Sequence, residues 1–274
     1  MDPFKKRNIK EEWHEFMLWF RGVQAGSYRR GLPLTRDHWR LKWQRGSLAG
    51  RVGFLIGNGP SVRPADLDRL CQRTTFCCNR FYLAYDKMKF RPTHLVSADR
   101  QMIEDFGAEM IVKGEAKVWF ADEIPSKVKG DYTWVRSIWH RPYEFSRDVG
   151  LWADPGGATL ITALQIGYHL GIRHFYLYGV DHSFKFKPVE DPAQGHRTAQ
   201  GDGNHFIANY RSGKLWAPPL TDLIEEAFST CDRELRREGG WVKNATRGGA
   251  LEVLERISFE EAVISADTAE ARKI

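Results

Sequence analysis

The sequence predicts an α/β fold: a Rossmann-like, doubly wound and mostly parallel sheet preceded by an N-terminal helical extension. Two observations predict it. From Arg51 onward, short apolar segments alternate with amphipathic ones, and the first apolar segment runs into a turn with two glycines. Such alternation is typical of βαβ units, whose strands are parallel. We expect residues 1–49 to form the extension and residues 50–274 to form the Rossmann-like domain.

Seven segments have the length and apolar content of buried strands. In chain order they are residues 52–56, 75–78, 94–98, 117–120, 133–137, 174–178 and 241–244. Helical patterns in the domain are found at residues 65–71, 158–170 and 221–238. Residues 183–204, rich in Gly, Asp and His, are predicted to form a lid loop, because long loops in compact domains commonly close over ligands.

The extension is rich in Trp, Arg and Lys. Trp13, Phe16, Met17 and Phe20 recur at helical spacing, and a second helical segment at residues 36–45 is basic and aromatic. The favoured expectation is that both helices pack on the domain and expose a solvated basic face. The alternative is a basic amphipathic surface that binds an anionic membrane or another partner.

Composition is that of an ordinary globular protein and excludes several classes. Of 274 residues, 42% are hydrophobic and 28% charged, and no apolar run is long enough to cross a bilayer. The 4 cysteines lack metal-site spacing and the N-terminus lacks a secretory pattern, so we expect a cytoplasmic protein with reduced thiols. The net charge of +6 favours an anionic partner, but no signature of nucleic-acid binding accompanies it.

The most informative motif follows the first predicted strand. Gly57, Asn58, Gly59 and Ser61 belong to a Gly-Asn-Gly-Pro-Ser turn that precedes a helical pattern. We expect the glycines to permit positive φ and close approach of a ligand, and the Asn58 amide to bind a ribose or phosphate. Turns at the carboxyl ends of parallel strands hold nucleotides in α/β folds. The alternative is an ordinary turn with Ser61 as a helix N-cap.

Polar residues also end the second and third predicted strands. Asn79 follows the second strand, and Asp99 and Arg100 follow the third. With Asn58, Asn79 would provide a pair of amides facing a nucleotide; alternatively it is a turn residue that tolerates left-handed φ. Asp99 is suited to accept a hydrogen bond from a sugar hydroxyl, and Arg100 to meet a phosphate or carboxylate. A surface ion pair is the equal alternative for Arg100.

Two further turns lie at predicted element boundaries. Gly157 and Thr159 stand at the start of the helical pattern at 158–170, where backbone N–H groups favour an anion. Thr159 is alternatively a capping or packing residue. Asp181 follows the strand at 174–178. A carboxylate at this position is suited to one of three roles: binding a metal, accepting a hydrogen bond from a hydroxyl, or capping a turn. No second carboxylate has clear metal-ligand spacing, so no metal is expected.

One histidine is the best candidate for a general base. His205 follows the predicted lid loop, and a neutral imidazole is the usual base near neutral pH. A lone histidine is more often structural, but its position beside a flexible loop favours a catalytic role. His140, His182 and His196 are weaker candidates.

These motifs together resemble those of bacterial sialyltransferases of the Campylobacter lipooligosaccharide type. The shared segments occur in the same order, at residues 57–61, 78–82, 171–181 and 204–206. The resemblance covers roughly residues 51–210. It implies a Rossmann-like glycosyltransferase with a CMP-linked nonulosonic sugar as donor, no required metal or other cofactor, and a histidine base. The acceptor would be a cell-surface glycan or glycolipid, and the basic extension would hold the enzyme at the inner membrane, with homo-oligomerisation a further expectation.

Individual roles follow from the resemblance. Asn58 and Asn79 would contact the CMP part of the donor, and Asp99 would help to hold the donor. Thr159 would bind the donor's carboxylate or phosphate, and His205 would take the proton from the acceptor hydroxyl.

The sequence departs from that family after the strand that ends in Asp181. The family has a tyrosine there that stabilises the departing phosphate, whereas this chain has His182 and Ser183. Tyr210 or Arg211 would have to replace it. A nucleotide-binding protein without catalysis is the alternative that this departure leaves open.

The C-terminal part resembles a second, related group. Residues 242–250 and 257–262 are similar to a prokaryotic Rossmann-like family that includes archaeal 6-hydroxymethylpterin diphosphokinases. That family shares the Gly-Asn-Gly-Pro-Ser turn. It implies an ATP-dependent diphosphokinase acting on a pterin-like alcohol, with Mg²⁺ held by Asp99, Asp154 and Asp181. The alternative for residues 244–249 is a plain strand-to-loop turn.

Overall fold

The structure is a computed structural model, which describes residues 9–125, 127–187, 198–199, 204–208, 210 and 219–271. Within them the helices are α1 (Ile9–Arg29), α2 (Arg36–Gln44), α3 (Pro64–Asp68), α4 (Arg100–Lys113), α5 (Thr159–His169), α6 (Thr221–Arg236) and α7 (Phe259–Ala271). The strands are β1 (Val52–Ile56), β2 (Thr74–Cys78), β3 (His94–Ser97), β4 (Lys117–Asp122), β5 (Thr133–Arg136), β6 (His174–Tyr178), β7 (Phe186–Lys187), β8 (Thr198–Ala199) and β9 (Trp241–Asn244). A 3₁₀ segment covers Phe81–Lys87.

In the described part of the chain, seven strands form one parallel sheet in the order β5-β4-β3-β2-β1-β6-β9. The chain begins at the centre with β1, winds outward to β5, and returns to the other side of β1 as β6. The strand order therefore reverses between β1 and β6, which is where open α/β sheets bind ligands. The predicted Rossmann-like fold is confirmed, and so are the seven predicted core strands, with small differences at their ends.

Helices cover both faces of this sheet. Along β1, Phe54 and Ile56 pack with residues of α3, α4 and α7, whereas Leu55 packs on the other face with residues of α5 and α6. A strand that is buried on both faces shows no alternation of polar and apolar residues. This burial explains why β1 has no polar side chain at any position.

Two helices of the domain, α4 and α7, lie outside the helices predicted from sequence. In α4 a glycine, Gly107, interrupts the apolar pattern, which weakens a helical prediction. In α7 the buried positions include Ala262 and Ala266, whose small side chains give little periodic signal. The alternative of a helix N-cap at Ser61 is wrong, because α3 begins at Pro64 and Arg63 occupies the N-cap position.

Within the extension, α2 packs on the domain as expected. His38 and Leu41 are buried, and the Asp37 carboxylate accepts a hydrogen bond of 3.1 Å from the backbone N–H of Trp134 in β5. Thr35 caps the helix by accepting from the backbone N–H of His38. These contacts fix α2 against the edge strand of the sheet.

The expected packing is wrong for the aromatic stripe of α1. This helix contacts the domain through Gln24 and Tyr28, which are buried, while Trp13, Phe16 and Phe20 are 63%, 49% and 39% exposed. Helical periodicity marks an apolar face without specifying what covers it. Among the described helices, none has the length and apolar content that a membrane span requires.

The motif at residues 242–250 connects the end of β9 to α3. The Arg247 guanidinium donates to the Asp66 carboxylate at 2.7 and 3.2 Å, and the Tyr178 hydroxyl donates to the same carboxylate at 2.5 Å. The backbone N–H of Val180 donates to the Thr246 hydroxyl at 3.1 Å. These contacts give residues 244–249 a structural role, supporting the turn after β1 and the end of β6.

We expect Arg247→Ala to lower stability by about 1–3 kcal/mol, because it leaves the buried Asp66 carboxylate short of its charged donor. The melting temperature at pH 7 should fall by several degrees. Arg237→Ala is the matched control: this arginine is exposed and pairs only with Glu234 among the contacts described, so its removal should have little effect. An equal loss in both variants would contradict the structural role.

The effect of Arg247→Ala should depend on pH. Burial opposes ionisation of Asp66, but hydrogen bonds from Arg247 and Tyr178 outweigh it and lower the pKa of this carboxyl. A carboxyl whose pKa is lower in the folded state than in the unfolded state stabilises the fold. This stabilisation is complete at pH values above the unfolded-state pKa of about 3.9, and it is lost as the pH falls through the folded-state pKa. The stability difference between wild type and variant should therefore shrink at acid pH.

Candidate functional site

A cavity of about 670 Å³ lies at the carboxyl edge of the sheet. It opens beside β1 and β6, at the point where the strand order reverses. Its volume falls in the range of small-molecule sites, roughly 300–1,000 Å³. Among the predicted site residues, those that line it are Gly57, Asn58, Gly59, Asn79, Asp99, Gly157, Thr159, Asp181 and His205. Ser61 is the exception and lies behind the lining.

The glycines of the turn after β1 are needed for close packing rather than for positive φ. Neither is among the residues with positive φ. A Cβ on Gly57 would lie 2.3 Å from the backbone oxygen of Gly179, and a Cβ on Gly59 would lie 1.8 Å from the Asp181 carboxylate. The expectation of left-handed backbone is therefore wrong. The glycines allow the turn to lie directly against the segment that follows β6.

Ser61 and Asp181 join these two segments. The Ser61 hydroxyl donates to Asp181 Oδ2 at 2.8 Å, and the Ser61 backbone N–H lies 3.3 Å from the same oxygen. Asp181 thus receives two hydrogen bonds from the turn while also lining the cavity. Its first role is to hold the turn after β1 in position.

Asn58 presents an unsatisfied acceptor. Its side chain is buried, and Nδ2 donates to the Cys78 backbone oxygen at 3.1 Å and to the Tyr210 hydroxyl at 2.9 Å. Its Oδ1 is buried without a hydrogen-bond partner. Buried polar atoms are nearly always paired, and each exception calls for a specific explanation. A ligand hydroxyl or amino group in the cavity would provide the missing donor.

Asn79 and Asp99 reach the cavity from the neighbouring strand ends. Asn79 adopts a positive φ of 55°, as expected for a turn residue, and its Oδ1 accepts from the Ser97 hydroxyl at 2.7 Å. Ser97 thereby fixes the orientation of the amide. Asp99 is the N-cap of α4 and accepts from the Met102 backbone N–H at 3.1 Å, a role absent from the sequence prediction.

The N-terminus of α5 forms another wall. Gly157 adopts a φ of +83°, and Ala158 at the N-cap makes no side-chain cap to the helix. Uncapped N–H groups and the helix dipole favour an anion at such a position. The Thr159 hydroxyl accepts a hydrogen bond from the backbone N–H of Ala98 at 3.4 Å, so this side chain also links α5 to the end of β3.

His205 lies next to Asn58 and Tyr210 at the cavity. Its ring stacks on Tyr210 with centroids 4.1 Å apart, and the backbone N–H of Phe206 donates to the Asn58 backbone oxygen at 3.0 Å. The buried Arg80 donates to the Tyr210 backbone oxygen at 2.8 Å. The predicted base is thus held over the turn after β1, and Tyr210, the predicted substitute for the family tyrosine, lines the same cavity.

A second imidazole faces the cavity and is paired with a carboxylate. His182 Nε2 lies 3.0 Å from Glu225 Oε1 of α6, and the His182 side chain is 5% exposed. His182 has a positive φ of 52°, a conformation that is uncommon outside glycine and frequent at functional sites. The position of His182 after Asp181 was a signal available from sequence. Glu225 gave none, because it lies within an ordinary amphipathic helix.

The described lining is rich in carboxylates. Asp99, Asp122, Glu123 and Asp181 all contribute, and Arg100 is the guanidinium found in the same part of the lining. Arg100 Nε lies 2.9 Å from Glu104 and 3.8 Å from Asp122. Burial raises the pKa of the Asp122 carboxyl against the opposing effects of the Glu123 N–H and the Arg100 charge. Arg100 is thus placed in an ion-pair network at the mouth of the site.

Asp154 does not reach the cavity. It is fully buried, and its carboxylate accepts from the backbone N–H groups of His140 at 2.8 Å and Gly156 at 3.0 Å. The His140 ring also contacts it at 3.2 Å. Asp154 therefore orders the turn before α5, and the three aspartates proposed for Mg²⁺ do not converge. Within the described ranges, no three His, Cys, Asp or Glu residues form a metal-binding group.

Other predictions fall on residues that the structure does not describe. The proposed lid at 183–204 lies largely in the gaps at 188–197 and 200–203, and His196 and Arg211 are also outside the described ranges. The short strands β7 and β8 pair in antiparallel fashion at the two ends of the first gap. The lid therefore stays a prediction.

The fold and the cavity define a Rossmann-like α/β protein with a ligand site at its strand-order reversal. No family model matches the chain, and no curated protein sequence is significantly similar. Solved structures do match. One is the structure of MAf glycosyltransferase from Magnetospirillum magneticum AMB-1, with a TM-score of 0.50 and 16% identity over 94% of this chain and 42% of that chain. At this identity the likeness shows a shared fold, and this chain spans less than half of that protein's length.

Proposed function

We propose that the protein is a glycosyltransferase that uses a nucleotide-activated sugar. The observation that carries the proposal is the convergence on one cavity of Asn58, Asn79, the uncapped start of α5 and His205. The two amides offer hydrogen bonds to a nucleoside, the helix start favours a phosphate, and the imidazole is suited to take a proton. The similar fold of a protein described as a glycosyltransferase supports the same class.

The donor proposed is a CMP-linked nonulosonic acid, and the acceptor is a hydroxyl of a cell-surface glycan or glycolipid. The acceptor oxygen attacks the anomeric carbon while the bond from that carbon to the phosphate oxygen breaks. His205 takes the acceptor proton, and CMP leaves with the electron pair of the broken bond. The N–H groups at the start of α5 stabilise the negative charge that develops on the leaving phosphate.

The second imidazole has a place in this scheme. With Nε2 held by Glu225, His182 presents a fixed ring at the cavity directly after Asp181, where the family tyrosine is replaced. We assign to it, together with Tyr210, the polar contacts to the departing phosphate. The deprotonating role stays with His205, whose ring lines the cavity and stacks on Tyr210, the residue whose hydroxyl accepts a hydrogen bond from Asn58 Nδ2.

A thermal-shift panel with CMP, CDP, UDP, GDP and ATP, each with and without Mg²⁺, tests the proposal. A ligand that binds only the folded state at 100 times its Kd stabilises by about 2.7 kcal/mol. We expect CMP and CDP to raise the melting temperature equally with and without Mg²⁺. A shift with Mg-ATP alone would instead support the diphosphokinase. No shift with any nucleotide would contradict a nucleotide site of either kind.

A further inference from the structure

The strongest unassigned surface is an exposed ring cluster on α1, formed by Trp13, Phe16, Trp19 and Phe20. Phe16 lies at its centre, with ring centroids 5.7 Å from Trp13, 6.0 Å from Trp19 and 6.2 Å from Phe20. All four side chains are exposed, the two tryptophans by 63%. Contiguous apolar patches of this kind on a globular protein mark interaction sites.

The opposite side of α1 is bound to the domain. The Arg21 guanidinium lies 5.1 Å from the Trp134 ring centroid, and the Tyr28 hydroxyl donates to Asp148 at 3.3 Å. Gln24, which lies between Arg21 and Tyr28 in the sequence, is also buried. These contacts fix the rotation of α1 about its axis, so the ring cluster faces away from the protein.

The exposed face carries a heptad pattern. Residues spaced alternately by four and three positions fall on one stripe of a helix and form the seam of helix pairs. On α1 this stripe consists of Glu12, Phe16, Trp19, Val23, Gly26 and, one residue beyond the helix, Arg30. The Arg30 side chain lies along this stripe, since its guanidinium donates to the Gly26 backbone oxygen at 3.3 Å.

The stripe is complementary to itself when read in the opposite direction. In an antiparallel pair that sets Glu12 level with Arg30 of a partner subunit, Phe16 lies level with Gly26 and Trp19 with Val23. Opposite charges then meet at both ends, and a large ring faces a small residue. A Cβ built on Gly26 would have the Arg30 guanidinium at 3.6 Å as its nearest neighbour, so the end of one flexible side chain is what covers this position within the protomer.

The charge of α1 does not favour an anionic membrane. Its sequence contains Lys10, Arg21 and Arg29 against Glu11, Glu12 and Glu15, so the charges cancel. Surfaces that bind anionic lipid combine aromatic residues with an excess of cations. On the stripe itself, the acidic Glu12 stands in the first turn and the basic Arg30 just beyond the last, which suits antiparallel pairing instead.

We propose that α1 is the interface with a second copy of this chain, forming a twofold-symmetric, antiparallel helix pair along the Glu12–Arg30 stripe. A twofold axis places the same patch on both subunits. Each pair then contains two equivalent contacts between Glu12 and Arg30, with the two Phe16 rings inserted beside Gly26 of the opposite subunit. The proposal concerns assembly and does not depend on the reaction at the cavity.

Charge reversal tests the register. Sedimentation equilibrium of Glu12→Arg and of Arg30→Glu should each show dimerisation weakened at least tenfold, because each homodimer places two like-charged contacts at the ends of the stripe. An equimolar mixture of the two variants should dimerise as the wild type does, since the heterodimer restores both opposite-charge contacts. The double variant within one chain should also dimerise.

Controls separate the register from helix stability and from other partners. Glu11→Arg changes charge in the same turn but off the stripe, and it should leave dimerisation unchanged. Phe16→Asp should give a folded monomer, checked by an unaltered far-ultraviolet circular dichroism spectrum and a cooperative thermal transition, since loss of the partner itself lowers the melting temperature. A wild-type chain that is monomeric up to high micromolar concentration would overturn the proposal, and so would flotation of the monomer with phosphatidylserine-containing vesicles through the ring cluster. Dimers unaffected by Glu12→Arg and Arg30→Glu would also overturn it.

Discussion

His205→Ala is expected to lower kcat for sugar transfer by about 10²–10⁴-fold, the usual contribution of a positioned general base. The imidazole stands at the cavity beside Asn58 and Tyr210, where the proposed reaction has the acceptor hydroxyl lose its proton. Donor binding should change little, because the side chains proposed to hold the nucleotide are intact. Steady-state kinetics with a CMP-linked donor, together with the CMP thermal shift, would measure both effects.

Two variants make this result specific to His205. His174→Ala removes an imidazole from the first residue of β6, at the opposite edge of the sheet from the cavity, and should leave kcat unchanged. His182→Ala should lower kcat less than His205→Ala does, since His182 is assigned to the leaving group. If His182→Ala instead causes the larger loss, the base is the imidazole paired with Glu225. A CMP shift without turnover in the wild type would favour the inactive nucleotide-binding protein.

Gly57→Ala is expected to destabilise the protein by about 3 kcal/mol or more, at the upper end of what overpacking causes. The new Cβ would lie 2.3 Å from the oxygen and 2.8 Å from the carbon of the Gly179 backbone. Neither atom belongs to a flexible side chain, so β1 and β6 must separate at their carboxyl ends. This separation moves Asn58, and we expect the nucleotide-induced thermal shift to be lost as well.

Gly22→Ala is the matched control for this substitution. Gly22 lies within α1, and a Cβ there has the Arg136 guanidinium at 3.9 Å as its nearest neighbour. Alanine is favoured over glycine inside a helix by about 0.5–1 kcal/mol, so stability should be unchanged or higher. If Gly57→Ala is tolerated as well as Gly22→Ala, the close packing of the turn against Gly179 is not a requirement of the fold.

The sequence specified most of the sheet. Strands β1, β2 and β3 are short runs that are buried on both faces, a pattern carried by adjacent residues. The parallel, doubly wound arrangement then followed from the alternation of strands and helices. Those rules bring strand ends together, which is why Asn58, Asn79, Asp99 and Asp181 could be placed at one edge before the structure was known.

Local patterns predicted the helices less completely. α5 is buried over nearly its whole length and was predicted. The buried face of α7 includes two alanines and α4 contains Gly107, so both have weak periodicity. The aromatic stripe of α1 was recognised, yet its packing was predicted wrongly. Periodicity gives the apolar face of a helix, and only the tertiary structure shows that Gln24 and Tyr28, rather than the rings, contact the domain.

Taken by itself, the sequence determined the fold class, the core strands and the candidate residues at strand ends. These features depend on short runs of adjacent residues, since apolar runs form buried strands and glycine, asparagine and aspartate form the turns that follow them. The tertiary structure decided how those residues act. Ser61 and Asp181 are 120 positions apart and yet share a hydrogen bond, and His182 meets Glu225 of α6. The closeness of Gly57 to Gly179 and the unpaired Oδ1 of Asn58 are likewise products of non-local packing, which no local pattern encodes.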